Sequence, residues 1–404
     1  MSNKENSVVS FQIDDTPSAE QASKTFGDNY ELSFQDLLER TVDESAAEDF
    51  SYSSNEVKKA GRRLRKKEGD LKSATATIQQ FRAAHERPLK TIASLIGRCC
   101  RELSMDVKPV TRLKRLETII DKLQRKSLDG NTANAICVTN MNDIGWCRAI
   151  FPDLMSLKLA RFQLEGTVEK IGRVKIRHID DYIANPKPND CGYRSLHVIY
   201  RYDHSSGKSF NIEVQLRTSL QHLWATTVEI VDILEGTKIK TYSHSSNEDK
   251  SDRQIKWEEL LSIMSRYIAD AEGAIKLAEE EKRQFSKRLG ELNHEINALG
   301  GLETFKIISK KVEDCSNDKT KHVLLVIDED SLEQIFTKKG FANDSQAVST
   351  YSAVERVTRS HPKINTLLIS TKDMGRLSEA YPNYLGDCAS FILLLKEAMQ
   401  LSWS

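Results

Sequence analysis

The chain has 404 residues, with 59 Lys and Arg against 59 Asp and Glu, so its formal net charge is zero. At 39% hydrophobic and 29% charged it is long and apolar enough for two or three domains, and disorder throughout is excluded. Seven cysteines without C-x-x-C spacing read as reduced thiols, and the absence of a signal core or an 18-residue apolar run argues against secretion and membrane spanning, so a cytoplasmic location is expected.

Zero net charge hides an asymmetry. Residues 1–53 hold twelve acids and three bases, a net of 3 − 12 = −9, and read as an acidic, mostly disordered leader. Residues 54–126 hold twenty bases and eight acids, a net of 20 − 8 = +12. The run KKAGRRLRKKEGDLK within them is either a solvated helix face or a basic surface for nucleotides, nucleic acid or the leader itself.

Residues 55–104 predict helices, broken near His85-Glu86-Arg87-Pro88, where proline ends or restarts one. Over 111–126, TRLKRLETIIDKLQRK spaces Leu113, Leu116, Ile120 and Leu123 as one helical stripe, with Lys114, Thr118 and Lys122 beside it at i, i+4, i+8. Strands follow at 135–139, 145–151, 173–179, 195–202 and 210–217, with a helix at 153–165. Strands mixed with helices imply an α/β or α+β sheet domain over about 105–237. A polar loop is expected at 238–253, and amphipathic helices over 254–298 carry Trp257, Leu260, Leu261, Met264, Ile268 and Ile275, ended by Gly300-Gly301. Residues 304–404 hold strand candidates at 322–328 and 364–371 and a helix at 390–399, enough for a small C-terminal α/β domain, read as regulatory or passively stabilising.

The chemistry concentrates in 173–229. In FNIEVQLR, Glu213, Gln215 and Arg217 share one strand face. In SLHVIYRY, Ser195 and His197 share one face, and the connector 204–207 suits a hairpin that aligns both polar faces in one wall. An ordinary solvent-facing strand gives the same alternation. Arg112, Lys114 and Lys122 form a cation row suited to a polyphosphate or to a solvated flank. Asp143, near Arg148 at a strand entry, suits a Mg²⁺ site or a turn cap. Tyr193, in a loop after Gly192, is a base-stacking or a packing residue.

Taken in order, these segments resemble the synthetase domain of the RelA/SpoT family, which transfers pyrophosphate from ATP to the 3′-hydroxyl of GDP or GTP. TRLKRLETIIDKLQRK resembles its R-x-K…S…K helix, with Thr118 where Ser is usual. NDIGWCR resembles its D-I-x-G-x-R entry, with Trp146 in place of Gly. IDDYIANPKPNDCGYRSLHVIY and IEVQLRTSLQHLWATTVE are similar to its two longest motifs, with Asp190-Cys191 inserted before Gly192. The resemblance implies a nucleotidyltransferase-like mixed sheet flanked by helices. It implies Mg²⁺ on Asp143 and Glu213, with Glu213 near the acceptor hydroxyl as base or ligand. Arg112 and Arg148 would flank the adenine of ATP, and Lys114 and Lys122 would meet its phosphates. Tyr193 would stack on the acceptor guanine, with His222 at its edge and His197, Gln215 and Arg217 completing the wall. No hydrolase activity is expected, because no adjacent His-Asp pair occurs among the nine histidines. Two alternatives stay open: a toxin-type enzyme acting on an adenine nucleotide or the tRNA 3′ end, and a catalytically weak nucleotide-sensing module. A homo-oligomer is a further expectation.

Overall fold

The computed structural model of the protein describes residues 52–124, 136–187, 191–235, 250–315, 320–328, 335–358, 364–371 and 384–400. The leader, up to Ser51, and the polar loop, up to 249, lie outside them.

The basic segment folds as three helices: α1 Ser54–Lys66, α2 Leu71–Ala83 and α3 Glu86–Glu102. Ser53 and Glu56 cap α1 reciprocally, satisfying two amide groups that a helix start leaves open. Val57, Ala60, Gly61 and Leu64 form its buried stripe, while Lys58, Lys59, Arg62, Arg63 and Lys66 are exposed. Most of the cation run is therefore a solvated helix face. Arg65 departs from it, donating to the carbonyl of Leu123 at 3.0 Å. Pro88 stands in the first turn of α3, where a missing N–H costs nothing.

Residues 111–126 correct the single predicted helix. Val110–Leu113 is an edge strand, β1, antiparallel to β2 (Gly145–Phe151), and Lys114 continues that pairing through its N–H to the carbonyl of Ile144 at 2.7 Å. Helix α4 spans only Leu116–Gln124 and buries Ile119 and Leu123, with Ile120 half-buried. The expected strand at 135–139 is also absent. Val138–Asn140 forms a 3₁₀ turn, and Ala135 lies outside the described residues.

The remaining strands stand where alternation put them: β3 Val174–Asp181, β4 Leu196–Asp203 and β5 Ser209–Thr218. The five strands run in the order β1-β2-β5-β4-β3, with β2 and β5 parallel and the other pairs antiparallel. Cys147, Ala149, Phe151, Ile212, Val214, Leu216, Val198 and Tyr200 are buried on one side. Helices α3 and α5 (Leu154–Lys170) pack on β2 and β5 there.

Helix α6 (Ser219–Leu234) leaves the end of β5 and joins α7 (Asp252–Ala271), α8 (Glu279–Ile296) and α9 (Ala298–Cys315). The amphipathic stretch is thus two helices, α7 and α8, and Ile275 sits half-buried in their connector. Gly300 and Gly301 do not end them: Asn297, in the left-handed conformation at φ 49°, ends α8, and α9 runs through both glycines. A second sheet, order β7-β6-β8, comprises β6 His322–Asp328, β7 Ile335–Phe341 and β8 Ile364–Ser370, with α10 (Asp344–Thr358) packed on it. The last helix, α11 (Tyr384–Gln400), packs on α6, α8 and α9, placing Phe391 and Leu395 in one core with Trp224, Val228, Trp257 and Leu261. Among the described residues, no helix is long and apolar enough to cross a membrane, and six cysteines are free thiols.

Phe391→Ala is expected to cost about 3–5 kcal/mol in chemical denaturation, the scale of deleting a fully buried aromatic. His85, 1% exposed, packs edge-on against Phe81 and Phe210, and burial pulls its pKa down to about 4. Its folded pKa lies below its unfolded value, so the unfolded chain binds the proton first as the pH falls. Stability should fall between pH 6.5 and 4, by on the order of 3 kcal/mol at the lower end. Denaturant titrations across that window should show a flatter pH slope for His85→Phe.

Candidate active site

The second face of the first sheet is polar. The register places Arg112 beside Trp146, Trp146 beside Glu213, and Arg148 beside Gln215, with His197 across from Gln215 on β4. Partners opposite one another in a sheet point to the same side. The wall expected from alternation therefore exists, and β1 and β2 extend it.

A cleft of about 400 Å³ opens at one end of this face, lined by Lys122, Cys137, Asn140, Asn142, Asp143 and Glu213 among others. Asp143 stands in the turn before β2. Lys114 Nζ donates to its Oδ2 at 2.8 Å, and Lys122 Nζ donates to Oδ1 at 3.0 Å and Oδ2 at 2.9 Å. The two lysines thus converge although only Lys122 is helical. Burial favours a protonated Asp143, but the two ammonium groups outweigh it and hold the carboxyl below its ordinary range.

Glu213 shows the opposite balance. Burial pushes its carboxyl up and the charge of Asp143 adds to that, against a hydrogen bond from Gln215 Nε2 at 2.7 Å. One cleft therefore holds an ionised carboxylate and a carboxyl biased toward taking a proton.

On the other side of Glu213 runs a chain of polar contacts. Arg217 donates to the hydroxyl of Tyr193 and lies over its ring at 4.9 Å. The Tyr193 hydroxyl lies 2.7 Å from His197 Nε2. On its other side, His197 Nδ1 lies 3.8 Å from Glu213 Oε1. That approach is not an ion pair: burial first, then the nearby cations, pull His197 down to about 3, so it is neutral. Arg217 also donates to Gln215 Oε1 at 3.3 Å.

The structure thus brings Asp143, Glu213, Lys114, Lys122, Gln215, Arg217, His197 and Tyr193 into one connected arrangement. Arg112 and Arg148 stand on the neighbouring strands, with the Arg148 guanidinium 5.0 Å over the Trp146 ring. Tyr193 is only 7% exposed, packed by Arg217, Tyr182, His197 and Trp224. His222 turns toward α11, where its Nε2 lies 3.6 Å from Asp387 Oδ2. Sequence reasoning passed over Tyr182, half-buried and edge-on to Tyr193 at 6.4 Å and to His197 at 5.6 Å. Its position directly after β3, whose Asp180 stands opposite His197, is the signal that finds it.

Residues 111–230 match the family model described as the region found in RelA/SpoT proteins. They are a RelA/SpoT-type domain. A GTP pyrophosphokinase of Haemophilus influenzae is 30% identical over 145 residues, which is 36% of this chain and 17% of the relative. The chain thus spans about a sixth of the length of the curated relative it matches. Solved structures with similarity include small alarmone synthetase 1 of Bacillus subtilis bound to its product pppGpp. It is 18% identical, with a TM-score of 0.37 and coverage of 48% of this chain and 94% of that one. A GTP pyrophosphokinase family protein of Streptococcus pneumoniae is 21% identical, with a TM-score of 0.36 and coverage of 49% and 92%. The RelA/SpoT-type domain runs from β1 to α6 and contains all of the cleft and wall residues named above, whereas α7 and α11 lie beyond it.

Proposed function

We propose that this protein transfers the β,γ-pyrophosphate of ATP to the 3′-hydroxyl of GDP or GTP, making (p)ppGpp without hydrolysing it. The observation that carries the reading is the pair of carboxyls in one cleft with pKa values displaced in opposite directions, beside converging lysines. Such a divergence assigns one group to charge and the other to proton transfer. The RelA/SpoT-type domain and the name of the Haemophilus relative support the same class.

In this reading the acceptor 3′-hydroxyl gives its proton to Glu213 as its oxygen forms a bond to the β-phosphorus. The bond between that phosphorus and the bridging oxygen on the α-phosphate breaks, and AMP leaves with the electron pair. Lys114 and Lys122 meet the phosphate charge, and Arg112 and Arg148 flank the adenine. Tyr193, His197, Gln215 and Arg217 position the acceptor, whereas His222 is turned toward Asp387 on α11. Asp143 and Glu213 fit Mg²⁺, because a cation relieves the repulsion through which Asp143 raises Glu213. When bound, Mg²⁺ supplies neutralisation of phosphate charge. Little covalent work falls to the protein, so positioning and electrostatics supply the rate.

Labelled ATP and Mg²⁺ with separate acceptors (GDP, GTP, an adenine nucleotide and deacylated tRNA) test the reading. Label should move to the guanine nucleotides with release of AMP; transfer only to another acceptor overturns it. Glu213→Gln should lose at least about a hundredfold in rate with no loss of stability, since burial already disfavours its charge. Asp143→Asn should lose as much and also lower the melting temperature modestly, because two lysines lose their counter-charge. Near-normal turnover in either variant refutes its assigned role.

A further inference from the structure

The loop between β3 and β4 carries Tyr182 and Tyr193, and both of its limbs are tied to a helix outside the RelA/SpoT-type domain. Arg194 follows Tyr193 and is 4% exposed. A buried guanidinium is tolerated only where its N–H groups are satisfied. Its Nη1 donates to the carbonyls of Ile183 and Ala184, on the first limb, the latter at 2.7 Å. Its Nε donates to Ser265 Oγ of α7 at 2.9 Å. Ser265, 2% exposed, in turn donates to the carbonyl of Gly192 on the second limb. One serine hydroxyl thus joins both ends of the loop to α7.

The fit is close. Gly192 has φ +102°, which favours glycine, and a Cβ there would lie 2.6 Å from Ser265 Cβ. Helix α7 is itself fastened to the end of β5 and the start of α6. Glu272, which caps α7, accepts from Thr218 Oγ1 and from Gln221 Nε2, the latter at 3.0 Å, and Trp224 Nε1 donates to the carbonyl of Leu261 at 2.8 Å.

We propose that α7 is part of the acceptor half of the active site, with Ser265 as the positioning residue that holds Tyr182 and Tyr193 for the acceptor nucleotide. This rests on the pyrophosphokinase reading above. Ser265 touches no reacting atom; it acts through Gly192 and Arg194. The effect therefore falls on acceptor binding and not on the donor side, where Lys114, Lys122 and Asp143 make no contact with this loop through these bonds.

The test compares Ser265→Ala with Ser286→Ala in the full chain. Ser286 is equally buried on α8 and donates to the carbonyl of Met399 at 2.8 Å, so it controls for loss of a buried hydroxyl. Ser265→Ala should raise the KM for GDP about tenfold, with kcat and the KM for ATP within about threefold, the scale of losing hydrogen bonds to a charged group. It should also speed hydrogen exchange in peptides carrying Tyr182 and Tyr193, a readout that needs no turnover. Ser286→Ala should do neither. An unchanged KM for GDP in an active Ser265→Ala enzyme overturns the proposal, as does unchanged exchange in those peptides. If the wild-type protein fails to use GDP or GTP while Ser265→Ala still loosens the loop, the pyrophosphokinase reading fails and the clamp stands.

Discussion

The parallel pairing of β2 with β5 decides where the two carboxyl groups of the cleft stand. Strand period is two, so shifting β5 by one residue would turn Glu213, Gln215 and Arg217 into the apolar core and bring Val214 and Leu216 out, and the same slip in β2 would expose Cys147 and Ala149. The core prevents that slip. Cys147, Ala149, Phe151, Ile212, Val214 and Leu216 are all fully buried beneath α3 and α5. Packing on one face therefore fixes the electrostatics of the other, and Asp143, in the turn that leads into β2, inherits its place from the same register.

The wall was legible because alternation of apolar and polar residues is what a half-buried strand requires, and 210–217 displays it cleanly. The edge of the sheet was not. β1 is four residues long, flanked by cations, and its Leu113 continues by chance the i, i+3 spacing of the following helix. Only the presence of β2 as a pairing partner makes Val110–Leu113 a strand, and partners are absent from a local pattern. Lys114 and Lys122 still meet at Asp143, reached from a strand end and a helix instead of from one helical row.

The glycines at 300 and 301 misled for a related reason. Glycine commonly follows a helix end, but Asn297 supplies the left-handed residue here, and the next helix starts before the glycines. Ser265 was illegible in kind. A serine on the buried stripe of an amphipathic helix carries no local signal, and its meaning comes from Gly192 and Arg194, some seventy residues earlier.

Asp387 on α11 accepts from Thr226 on α6 at 3.1 Å across a separation of 161 residues. At ribosomal rates of roughly 5–20 residues per second, α6 is made roughly 8 to 32 s before the helix that covers it. During that interval the apolar flank of α6, with Val228 and Val231 on it, waits without Phe391 and Leu395. The strands of the first sheet all precede α6 and can pair early, while the helical layer over α6 closes only through a long-range contact with a late segment.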